Sequence, residues 1–140
     1  MEFSTLVDAL SKRAQHQPDK KAYTFLKDGE VEADALTYQE LERLAQAIAA
    51  KLQSYNAVGQ RALLLYPPGL EFIAAFFGCL LAGVIAVPVY PPRANQTISR
   101  LLAIAKDAEA TLALTTTSVF ANSQQWLLQN SDLGQLHWLA

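Results

Sequence analysis

The sequence predicts an α/β fold: a mostly parallel sheet with flanking helices, plus an N-terminal β-hairpin. Three observations carry this. Short apolar or β-branched runs alternate with segments whose apolar residues recur every three or four positions. The runs at 61–66 and 84–89 are apolar at successive positions, as in parallel strands buried on both faces. Near the start, Asp28-Gly29 sits between two short strand-like segments, a strong hairpin signal.

Each element has its own local reason. Phe3, Leu6, Val7, Leu10 and Ala14 form one face of a first helix, which ends before Gln17-Pro18 because proline disfavours helical backbone in the residue before it. Residues 22–26 make a short aromatic strand, Lys27-Asp28-Gly29-Glu30 a turn, and a more polar strand returns. Thr37 and Glu40 have capping-box spacing, opening a helix whose face is Tyr38, Leu41, Leu44, Ala45, Ile48 and Leu52. That helix runs to about Tyr55, and the Gly59 turn leads into the strand at 61–66. A further helix starts near Leu70, with Phe72, Ile73, Phe76, Phe77 and Leu80 at helical spacing. Gly83 interrupts it, and 84–89 reads as a buried strand before Pro91-Pro92-Arg93. Ile98, Leu101, Leu102, Ala105 and Ala108 mark another helix, 111–115 a short strand, and 123–129 a weaker helix. Leu136 to Ala140 reads as a strand cut in its middle.

Composition narrows the function classes. The 140 residues are 51% apolar and only 17% charged, against about a quarter charged in an average domain, so disorder is excluded. A net charge of −2 gives no electrostatic footprint for nucleic acid. Cys79 is the only cysteine, so no intrachain disulfide forms, which suits a reducing cytoplasm. The start lacks the basic residues and apolar stretch of a secretory signal, and Glu2 and Asp8 argue against a transit peptide. Residues 72–90 are an uncharged run of 19, long enough for a transmembrane helix. Gly83, Pro88 and the β-branched stretch between them instead predict a three-turn helix followed by a strand.

Catalytic signatures are sparse. The 6 glycines are scattered, with neither a dinucleotide-binding fingerprint nor a Walker-type loop. His16, His137 and Cys79 lack metal-ligand spacing and read as structural or surface residues. The hydroxyls of Thr115-Thr116-Thr117-Ser118 could meet a phosphate, but a strand end and a helix cap explain them better. Asn95-Gln96-Thr97 fits a glycosylation acceptor, yet Asn95 or Thr97 serves better as a helix cap. Glu71 sits where a carboxylate favours the dipole of the helix it opens.

Several segments, taken in order, carry a resemblance. Ala22-Tyr23-Thr24-Phe25-Leu26 with Asp28-Gly29-Glu30 and Leu36-Thr37-Tyr38 resembles the opening of an acyl-adenylating enzyme, as does the stretch from Arg61 through Tyr66-Pro67-Pro68-Gly69 to Phe72. The block at 75–93 is the most discriminating. Its Ala82-Gly83-Val84-Ile85-Ala86-Val87-Pro88 core is similar to the Ala-Gly-x-x-x-x-Pro shared by acyl-CoA ligases and amino-acid adenylation domains. Tyr90-Pro91-Pro92-Arg93, with Tyr66-Pro67-Pro68-Gly69 before it, resembles the fatty acyl-AMP ligase branch. The similarity runs from about Leu6 to Trp138.

The resemblance implies that residues 1–140 are the first portion of the large N-terminal domain of an adenylate-forming enzyme. Such a ligase joins a fatty acid to the α-phosphate of ATP, with magnesium, and passes the acyl group to an acyl carrier protein in polyketide or lipid biosynthesis. The family's phosphate loop, adenine and ribose contacts and catalytic lysine lie further along, so no catalytic residue and no bound cofactor is assigned to these residues. Tyr66, Tyr90 and Arg93 are candidates for substrate binding, because they follow strands at the end where open α/β sheets place ligand-contacting loops. Arg93 is the sharpest of them, since a fixed guanidinium pairs well with carboxylate or phosphate. Rigid proline turns are the plainer reading of both motifs.

Three alternatives stay open: an acyl-CoA ligase of the same superfamily, a non-catalytic α/β binding module, and a membrane-associated fragment. A piece of a larger domain is also expected to self-associate through strands such as 61–66 and 84–89, whose sheet neighbours would be missing.

Overall fold

The structure is a computed structural model describing residues 5–27, 31–89, 91, 98–122 and 136–140. Its elements run α1 (Leu6–His16), β1 (Lys21–Lys27), β2 (Val31–Thr37), α2 (Tyr38–Ser54), β3 (Arg61–Leu65), α3 (Leu70–Ala82), β4 (Ile85–Val89), α4 (Ile98–Ala108), β5 (Leu112–Thr115), α5 (Thr117–Asn122) and β6 (His137–Leu139). The expected alternation of helices and strands is therefore present. The 28–30 turn, the 123–129 helix, Phe3, and the caps at Asn95 and Thr97 lie outside the described residues.

β1 and β2 form the antiparallel hairpin, and β3 to β6 form a four-stranded parallel sheet in the order β4-β3-β5-β6. Strand β3 has four successive side chains, Ala62 to Leu65, at or below 1% exposure. They can all be buried because the sheet is covered on both sides. Ala62 and Leu64 pack with α2 and α3 residues such as Leu52, Ala75 and Cys79. Leu63 and Leu65 pack with Leu101 of α4 and Ala113 of β5. Each buried leucine contributes about 1.5–3 kcal/mol. Helices α3 and α4 thus lie on opposite faces, as right-handed crossovers running in opposite directions along the sheet, β3 to β4 and β4 to β5, require.

Helix α3 accounts for the long apolar run. Ala75, Cys79 and Ala82 face the sheet, while Ala74 and Phe77 join a second core with Leu10, Leu36, Leu41 and Ala45. A helix covered on two sides is apolar nearly all round without entering a membrane. Gly83, with φ of 71°, closes it in left-handed backbone. The N–H groups of Gly83 and Val84 return to the carbonyls of Leu80 and Cys79 at 3.3 and 2.9 Å. Val84 is consequently spent on the cap, and β4 begins one residue later than the β-branched run suggests. Among the described residues no helix is long and apolar enough to cross a membrane.

Two strand expectations need correction. Strand β4 is not fully buried: among the described residues it pairs only with β3, and Ile85 is 48% exposed. Its Pro88, which has no N–H to donate, is suited to an edge. Strand β3 does not lack neighbours, since β4 and β5 flank it with five and four paired positions respectively. The edges among the described residues are β4 and β6.

Candidate functional site

The parallel strands all end on one side of the sheet. Between β3 and β5 the chain's progress through the sheet reverses: β3 leads through α3 to β4 on one flank, and α4 brings the chain back to β5 on the other. Open α/β sheets bind ligands outside the carboxyl ends of strands at such a reversal. Tyr66 follows β3 there, and Thr116 follows β5.

The hydroxyls at this end already have structural duties. Thr115 Oγ1, buried, donates to the Leu65 carbonyl oxygen at 2.7 Å and ties β5 to β3. Thr116 Oγ1 accepts from the Val119 N–H at 3.1 Å, capping α5. The strand-end and helix-cap reading of the threonine run is therefore correct for both residues.

Tyr66 is half-buried and packs against the core beneath α2 and α3. Burial, then the nearby Cys79 and Glu71, raise its phenol pKa well above the ordinary value, so it stays protonated. It lines an open groove of about 420 Å³. The other walls are Ala47, Ile48 and Lys51 of α2, Tyr55 at its C-cap, Leu114 of β5, and Trp138 to Ala140 in and after β6. The lining offers apolar surface, one ammonium and two phenols; it holds no carboxylate side chain, imidazole or thiol. Such a surface can hold a molecule with an apolar body and a polar or negatively charged end.

Tyr90 and Arg93 lie outside the described residues. Glu71 is exposed in the first turn of α3, where its charge meets the positive helix end. His16 is exposed in the last turn of α1, and the His137 ring lies 5.4 Å from that of Tyr55. Cys79 is fully buried, and that burial pushes its thiol up to about 11, which keeps it in the protonated form. Among the described residues no group of three His, Cys, Asp or Glu side chains could hold a metal.

Sequence reasoning missed Lys51, Tyr55 and Trp138 as groove residues. Ala47, Lys51 and Tyr55 recur at intervals of four, so their shared helix face was readable. What was not readable is that β6 would come to lie opposite that face.

Comparison with known proteins bears on what this architecture belongs to. Residues 10–137 match the family described as AMP-binding enzyme. The chain is 46% identical over 142 residues to a medium-chain-fatty-acid–[acyl-carrier-protein] ligase of Moorena producens, covering 99% of this chain and 24% of that protein. It is 35% identical over 108 residues to a long-chain-fatty-acid–AMP ligase of Mycobacterium tuberculosis, covering 75% of this chain and 18% of that one. Among solved structures, a fatty acyl-adenylate ligase from L. pneumophila, in complex with acyl adenylate and pyrophosphate, superposes with a TM-score of 0.86 at 37% identity. That match covers 99% of this chain and 23% of the ligase. The chain thus spans about a fifth to a quarter of the length of these relatives. Family match, sequence identity and superposition agree, and the chain belongs to the AMP-binding enzyme family, with fatty acyl-AMP ligases among its homologues.

Proposed function

We propose that these residues are the first portion of the adenylating domain of a fatty acyl-AMP ligase that charges an acyl carrier protein. The observation that carries this is the likeness to the Moorena acyl-carrier-protein ligase along nearly the whole chain. The chemistry such a ligase performs is dictated by its substrate. A fatty acid carboxylate is a poor acyl donor until one oxygen becomes part of a good leaving group. Attack of that carboxylate on the α-phosphate of ATP gives acyl-adenylate and releases pyrophosphate. The thiol of the carrier's phosphopantetheine then takes the acyl group, and AMP leaves. Lipid or polyketide assembly is the destination that fits a carrier-bound acyl chain, and a single buried thiol suits a reducing cytoplasm.

Within that enzyme, residues 1–140 supply a layer of scaffold. Tyr66, which follows β3, and Tyr90 and Arg93, which come after β4 in the sequence, are the candidates for substrate contact. Among the described residues no group of three His, Cys, Asp or Glu side chains is placed to hold magnesium. The experiment supplies the longer protein containing these residues with a fatty acid, ATP, magnesium, holo-acyl carrier protein and coenzyme A together. Intact-mass analysis is expected to find the acyl group on the carrier. Acyl-coenzyme A with an unmodified carrier would overturn this reading in favour of a coenzyme A ligase.

A further inference from the structure

We draw no further inference here: the strongest candidate, the open apolar groove of about 420 Å³ between α2 and β6 with Lys51 among its lining residues, is an unpartnered face beside a sheet edge, and nothing in the structure shows what covers it.

Discussion

Gly78 sets how closely α2 and α3 approach. A Cβ there would fall 2.6 Å from Ile48 Cγ2, 2.8 Å from Ile48 Cβ and 3.2 Å from the Ala45 carbonyl oxygen. The Ile48 Cβ is fixed to the backbone and cannot swing aside, so accommodation requires the helices to part. Overpacking of this kind costs about 1–3 kcal/mol, against a gain of about 1 kcal/mol from replacing glycine by alanine within a helix. Gly78→Ala is therefore expected to lower stability in urea unfolding, and to do so less in an Ile48→Ala background. Unchanged or raised stability would show that the two helices have slack between them. This constraint was not legible in the sequence. Gly78 stands in an apolar helical run, and nothing local distinguishes a glycine tolerated there from one required by a neighbour 30 positions away.

Local punctuation, by contrast, could be read element by element. The capping box at the start of α2 is present in full: the Glu40 N–H donates to Thr37 Oγ1 at 3.1 Å, and the Thr37 N–H donates to Glu40 Oε1 at 3.0 Å. These partners hold the Glu40 carboxyl below its ordinary value of 4.5, the Thr37 backbone N–H most, then its hydroxyl. A lowered folded-state pKa gives stabilisation that is complete above the unfolded value and is lost as pH falls through the folded one. Glu40→Gln is expected to lower stability at neutral pH, with the penalty shrinking as pH drops below 4.5 and the native carboxyl protonates. A penalty independent of pH, followed by thermal unfolding from pH 3 to 7, would mean that the two side chains do not act together. Strand order was less accessible than helix ends. The residues of β3 and β4 read equally as buried strands, yet β3 is central and β4 is an edge. That difference follows from where α4 returns the chain, a property of the whole sheet. Only Pro88 gave a local hint of the edge.

At the scale of the molecule, the sheet has β6 at one edge and β4 at the other, and Tyr23, Phe25 and Leu26 of the hairpin are exposed. Unpaired edges and apolar patches drive association. The isolated 140 residues are expected to bind a hydrophobic dye and to self-associate as concentration rises. Pro88 blunts the β4 edge, and β3 is paired on both sides, so β6 is the edge from which association should proceed. A monomer by light scattering across the concentration range, without dye binding, would contradict this and favour a finished binding module. The family was legible only through ordered segments, the block at 75–93 above all. The candidate site was legible in outline: strand ends could be named from the sequence, while the groove beside Tyr66 arises from α2, β5 and β6 meeting in space.

Acyl-adenylate formation is the central claim, and fatty-acid-dependent exchange of labelled pyrophosphate into ATP tests it most directly. The longer protein containing these residues is expected to catalyse exchange only when a fatty acid is present, and residues 1–140 alone are expected to catalyse none. Absence of fatty-acid-dependent exchange by the longer protein, or its presence with the 140 residues alone, would contradict the account.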